Sequence, residues 1–179
     1  MSCSKMVLGA SLILVAVVAF AEEPAAPQPT AEHQALESWT GSWSGEGELK
    51  PGPFGAGGPV SWTEECSWFE GGGFHVVCRS QGTGPMGPMK GLGIIGYNPG
   101  KMVYTHYGVD STGWSGFSEG TRNGDTWTFH SEEMMDGATY RSRFIMTMTS
   151  AETMTFSWAI SEDGSEWTVL MDGISTKKN

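Results

Sequence analysis

The chain has 179 residues, with 20 acidic against 10 basic side chains and a net charge of −10. That length suits one domain with a real core, and the acidic balance argues against a nucleic-acid or anionic-membrane partner. Eleven methionines and eight tryptophans must either fill the interior or line a pocket.

Met1 to Ala21 reads as a secretory signal peptide. Lys5 gives a weakly basic start, Met6 to Phe20 is almost wholly apolar, and Ala19-Phe20-Ala21 is a small-x-small site before Glu22. The apolar run is short for a membrane span and lacks a basic stop after it. Cleavage after Ala21 is expected, which makes the protein secreted or periplasmic and removes Cys3. Cys66 and Cys78 then face an oxidising compartment. Residues 22–30, rich in Pro and Ala, read as a disordered tether, and residues 31–175 as a single barrel domain.

Thr30 can cap a short helix to about Trp39, with Leu36 and Trp39 at helical spacing. Gly41-Ser42-Trp43 opens a first strand to about Leu49. Residues 51–59 form a Gly/Pro-dense loop. Val60 to Phe69 and Phe74 to Gln81 alternate around Glu70-Gly71-Gly72-Gly73, and a hairpin centred on Gly72 sets Cys66 opposite Cys78. The same register sets Glu65 opposite Arg79 and Trp68 opposite Val76. A cross-strand Cys66–Cys78 disulfide is therefore expected, worth roughly 3 kcal/mol on the chain-entropy estimate. Residues 82–90 (GTGPMGPMK) read as a second loop, a flap at a barrel mouth. Strands then run from Gly91 to Tyr97, Met102 to Val109 and Trp114 to Arg122.

Three dipeptides, Asn123-Gly124, Asp136-Gly137 and Asp163-Gly164, favour two-residue hairpin turns. The Asp136 turn pairs Trp127 with Met146, Phe129 with Phe144, Glu132 with Arg141 and His130 with Arg143. A three-residue loop at Ser150-Ala151-Glu152 pairs Met148 with Met154, Met146 with Phe156 and Phe144 with Trp158. Asp163-Gly164 pairs Phe156 with Met171, Trp158 with Val169 and Ile160 with Trp167. Asn123-Gly124 places Gly116, Ser118 and Gly120 on the same apolar face, opposite Ser131, Phe129 and Trp127. The preceding turn adds Val103, Thr105, Tyr107 and Val109 to it and leaves His106 outside, opposite Phe117. One face is apolar and the other polar, which is what an antiparallel sheet around one core requires. About ten strands of roughly seven to ten residues, joined by short turns, predict an all-β, antiparallel up-and-down β-barrel with a short N-terminal helix.

On these residues the chain resembles a lipocalin-like (calycin) barrel, whose Gly-x-Trp first strand, here Gly41-Ser42-Trp43, plugs the closed end. His33-x-x-Leu36, Gly41 to Gly47, Gly93-Ile94-Ile95-Gly96-Tyr97-Asn98-Pro99 and Tyr104 followed by Gly108-Val109-Asp110 are similar to a mostly secreted bacterial family of uncharacterised function. That likeness spans about Glu32 to Met171. Members often end in a Tyr-x-Arg strand, whereas this chain ends Gly173-Ile174-Ser175-Thr176-Lys177. The family carries no established catalytic residues, so none is transferred.

No Ser/His/Asp order, acid pair, phosphate loop or cofactor signature emerges. The cysteines lack the spacing and companions of a metal site. Some small ten-stranded barrels related to calycins bind haem through an inward histidine, but the registers put no histidine inside. Glu64 shares the face of Trp62, Cys66 and Trp68, which sets it either inward opposite Ser80, where a buried carboxylate needs a partner or a shifted pKa, or at the barrel rim in water. The expected activity is thus non-enzymatic binding of a small hydrophobic ligand. Its candidate lining is Trp43, Trp62, Glu64, Trp68, Tyr107 and Trp114, continued by Trp127, Phe129, Phe144, Met146 and Trp158. The alternative is a packed barrel whose surface and loops bind another protein.

Overall fold

The computed structural model describes residues 25–135 and 137–178; the leader read from residues 1–21 lies outside them. Ten strands follow a short helical segment in chain order. They are β1 (Gly41–Leu49), β2 (Gly58–Trp68), β3 (His75–Gly84), β4 (Gly87–Asn98) and β5 (Val103–Asp110). Then come β6 (Ser115–Asn123), β7 (Thr126–Met135), β8 (Ala138–Ser150), β9 (Thr153–Ser161) and β10 (Thr168–Lys177). Each pairs antiparallel with its neighbour in sequence, and β1 pairs with β10 from Trp43↔Lys177 to Leu49↔Met171. The barrel is closed, so Gly173-Ile174-Ser175-Thr176-Lys177 completes it without a Tyr-x-Arg ending. Closure removes both free sheet edges.

The helical segment shuts one end. Helix α1 (Ala31–Gln34) runs into a 3₁₀ turn over Ala35–Trp39. The Thr30 backbone N–H donates to His33 Nδ1 at 3.1 Å, which fixes the start of the helix. Leu36, Trp43 and Trp127 are completely buried beneath it. The indole N–H of Trp43 donates to the Trp39 carbonyl at 2.9 Å, and Lys177 Nζ lies 5.1 Å from its ring centroid. Each such side chain contributes about 1.5–3 kcal/mol through apolar burial.

Most predicted registers hold. Cys66↔Cys78, Glu65↔Arg79, Glu64↔Ser80 and Trp68↔Val76 pair across β2 and β3. Trp127↔Met146, Phe129↔Phe144 and His130↔Arg143 pair across β7 and β8, and Met146↔Phe156 and Phe144↔Trp158 across β8 and β9.

Four expectations need correction. At β6–β7 the turn residues are Gly124 and Asp125, so Gly120 faces Phe129 and Ser118's strand is displaced by two residues. A two-residue shift keeps every side chain on its face, and Gly116, Ser118 and Gly120 still point inward. At β9–β10 the connection is longer than a tight turn. Gly164 N–H binds Ser161 Oγ at 2.8 Å, Ser165 N–H binds Asp163 Oδ1 at 2.8 Å, and β10 bulges between Val169 and Met171. Trp158 consequently faces Met171 and Phe156 faces Gly173, while Trp167 lies under the Arg143 guanidinium, 4.1 Å away. Residues 82–90 are no flap: β3 and β4 pair continuously from His75↔Gly96 to Gly84↔Gly87.

The fourth correction changes the site. The Asp110 carboxylate accepts from Thr112 N–H at 2.8 Å and from Trp114 N–H at 3.2 Å, and Asp110 N–H reaches the Trp114 carbonyl. That loop is one residue longer than expected, so His106 pairs with Ser118 and Tyr107 with Phe117. A one-residue slip turns a strand inside out. Tyr104, His106 and Gly108 face the interior, whereas Tyr107 stands outside at 47% exposure.

Candidate functional site

The registers divide the lumen into two halves. The closed half is packed solid, with Trp127 and Met146 fully buried and Phe129, Met154 and Phe156 nearly so. Trp39 meets Trp127 edge-on at 5.7 Å, and Tyr104 meets it at 5.9 Å. Trp68 also belongs to this half, its indole N–H held by Glu37 Oε2 at 2.6 Å. These candidates are core, not lining.

The mid-barrel is different. Trp62 lies flat across β1, where a methyl on Gly45 would fall 2.1 Å from its Cζ2. It meets Phe156 edge-on at 5.3 Å, and Phe156 stacks on Phe144 at 5.8 Å. Opposite this aromatic wall, β3 to β6 offer Ser80, Gly91, Gly93, Gly108, Gly116 and Ser118 at inward positions. Although the His106 and Trp114 rings lie over Gly93, Gly108 and Gly116, the inward side chains here are not sealed from solvent. Trp62, Glu64, Ser80, His106 and Ser118 are accordingly only half-buried although they face inward.

Glu64 sits between these walls. Its strand places it beside Trp43 on β1 and Ser80 on β3. Burial alone pushes its carboxyl up to about 7, the response expected of a desolvated acid without a counter-charge. Among the described residues no hydrogen-bond donor from the protein reaches the carboxylate. The sulfur atoms of Cys66 and Cys78 lie beside it, within 4.8 Å, and are themselves at bonding distance, 2.04 Å. At that separation the two sulfurs have the geometry of a disulfide, in which neither is a thiolate ligand.

His106 is the residue that sequence reasoning placed on the wrong side. Its ring lies against the glycine wall, with Nε2 3.0 Å from where a methyl on Gly93 would stand and Cε1 3.2 Å from the same point on Gly108. Burial holds its pKa below the ordinary histidine value, so it is neutral near pH 7. The inward turn satisfies one requirement of haem ligation. Nε2, however, is directed at the β4 wall rather than at free space.

Two side chains narrow the mouth. Trp114, 43% exposed, folds its indole over Gly108 and Gly116 and donates through Nε1 to Glu133 Oε2 at 3.3 Å. Phe54, from the loop after β1, packs on Trp158 with ring centroids 5.4 Å apart; Trp158 is pinned from within by Ser142 Oγ at 2.9 Å. Of the candidate lining, then, Trp62, Glu64, Phe144 and Trp158 border the open half and Trp114 covers it. Trp43, Trp68, Trp127, Phe129 and Met146 close its floor, and Tyr107 is excluded. His130 and His75 lie outside the barrel, as expected. Two surface hollows lie elsewhere, one by Glu32, Tyr97 and Arg122 outside the closed end, the other by Glu46, Lys50 and Asp172 on the outer wall. Both are open to solvent, and neither holds a buried group without a partner.

A closed ten-stranded antiparallel barrel with a short helical segment over its packed floor is a lipocalin-like fold. Residues 28–177 match the family of proteins of unknown function DUF1579, and the chain belongs to that family. No curated protein matches it at the level of sequence. Among solved structures it is similar to Rv2717c from M. tuberculosis, at 12% identity and a TM-score of 0.59 over 84% of this chain and 99% of that one. It is also similar to the S-type phycobiliprotein lyase CPES from Guillardia theta, at 10% identity and a TM-score of 0.54 over 84% of this chain and 94% of that one. At such identities these likenesses establish the shared fold.

Proposed function

We propose that the protein is an exported, non-enzymatic barrel that binds one small molecule in the open half of its lumen. The observation that carries this reading is Glu64, an inward carboxyl deep in the barrel with no partner of its own. An occupant with a hydrogen-bond donor would supply the partner that the protein does not. The aromatic wall of Trp62, Phe144 and Phe156 supplies the apolar area that holds the body of a ligand. A structurally similar barrel is named as a phycobiliprotein lyase, which is compatible with a calycin lumen serving a small molecule.

In this reading the leader is cleaved after Ala21 and the Cys66–Cys78 pair is oxidised outside the cytoplasm. Native mass spectrometry of protein purified from its own host tests the proposal. A retained small molecule that quenches tryptophan fluorescence on re-addition is the expected result. A clean apo mass, together with no quenching by any member of a hydrophobic ligand panel, would sink it and favour a packed barrel acting through its surface.

A further inference from the structure

We infer that the lumen selects a cationic ligand: a compact molecule with a protonated amine or amidine head on Glu64 and a flat apolar body against Trp62 and Phe144. This rests on the proposed lumen binding and adds its charge preference. The lumen-facing strand positions carry basic side chains only at the closed end among the described residues. Both are engaged there, Arg122 over the Trp127 ring at 4.7 Å and Lys177 over Trp43 at 5.1 Å.

Toward the mouth every inward charge is acidic. Asp110 is tied into its own turn by Thr112 and Trp114, and Glu133 accepts from Ser131 and Trp114. Glu64 alone has all its acceptor capacity free. The Trp62 indole and the inward His106, whose pKa is lowered by its surroundings, offer no counter-charge. A carboxylate in a site of low polarity attracts a cation far more strongly than at the surface, and repels an anion equally. An amine places N–H donors on both carboxylate oxygens and supplies the missing charge.

Three probes of one shape decide the matter by calorimetry on the full mature chain: 1-naphthylmethylamine, 1-naphthalenemethanol and 1-naphthoate. The amine is expected to bind about tenfold or more tightly than the alcohol, as one charge-assisted hydrogen bond implies, and the acid to bind more weakly than the alcohol. Glu64→Gln should bring the amine down to the level of the alcohol while leaving alcohol binding in place. Equal binding of amine and alcohol to the wild type overturns the charge preference and leaves lumen binding standing. Failure of all three to bind overturns both. Because the wild-type series is decisive by itself, the outcome does not depend on how well the variant folds.

Discussion

The Glu64→Gln variant isolates the energetic consequence of an empty, acid-bearing lumen. Burial raises the carboxyl from its ordinary 4.5 to about 7 on folding. At about 1.4 kcal/mol per pKa unit, the ionised group costs the folded state about 3 kcal/mol. Below pH 4.5 the group is protonated whether the chain is folded or unfolded, so its favourable contribution is complete. As pH rises toward 7 the unfolded chain releases the proton while the folded one keeps it, and that stability is progressively lost. Glutamine does not titrate. The stability difference between variant and wild type should therefore widen by about 3 kcal/mol between pH 4.5 and 8, in favour of the variant, or roughly 6–12 °C in Tm for a domain of this size. His106 opposes this trend, because burial lowers its pKa and stability is lost as pH falls through its unfolded value. That contribution is common to both proteins and cancels in the difference. Urea midpoints measured at intervals from pH 4.5 to 8 read it directly. Parallel curves for the two proteins would show that Glu64 is solvated or paired, and would remove the basis for assigning it a ligand.

Reducing the Cys66–Cys78 bond, or the double variant Cys66→Ala/Cys78→Ala, should lower stability by about 3 kcal/mol; a urea midpoint insensitive to reductant would refute the bond. Gly45→Ala drives a methyl into the Trp62 ring, 2.1 Å from Cζ2, and should cost about 1–3 kcal/mol by overpacking while changing tryptophan emission; an unaltered spectrum would contradict the Trp62 position. His106→Phe keeps the ring volume against Gly93 and Gly108 and removes the titration, so the fall in stability below pH 6.5 should flatten. Trp114→Ala strips the cover from the mouth and should speed probe release in stopped-flow experiments, with little change in urea midpoint because the residue is 43% exposed.

How much of this was legible in the sequence depended on what sets each register. The pairs flanking Asp136-Gly137 were readable because a two-residue turn leaves no freedom in which residues face each other. The Cys66, Glu65 and Trp68 pairs were readable because three independent complementarities agree on one register. Where a turn side chain lengthens the loop, that logic fails. Asp163 captures Ser165, and β10 is displaced by one residue up to Val169, which turns Trp167 and Val169 off the inner face, and by two beyond the bulge, which restores the face from Met171 onward. Asp110 captures Thr112 and Trp114, and β5 is displaced by one, which inverts them. Tyr107 and His106 exchanged sides for that reason alone. The signal was present: the alternation Tyr104, His106, Gly108 continues the buried Ile95 and the inward Gly93 across β4, whereas Tyr107 is left on the outside against Phe117. Glu64 pairs with Ser80 as the register around Cys66, two residues on, implies.

The two halves of the lumen also explain how a barrel can carry an uncompensated acid. Apolar burial is concentrated where the helical segment, Trp43, Trp127 and Met146 exclude water completely, and the β1–β10 pairing ties the last strand onto the first. Truncating one such side chain costs about 3–5 kcal/mol, comparable to the whole penalty carried by Glu64. The open half is built mainly from inward glycines and serines on β3 to β6, which contribute little apolar burial. Stability and the polar lumen thus occupy different ends of the same strands. A strand such as β2 serves both, placing Trp68 in the floor, Cys66 against Cys78 above it, and Glu64 and Trp62 in the open space, at successive inward positions. The period of two that fixes a face also fixes this order, so the depth at which Glu64 meets an occupant is set by the same register that aligns the cysteines.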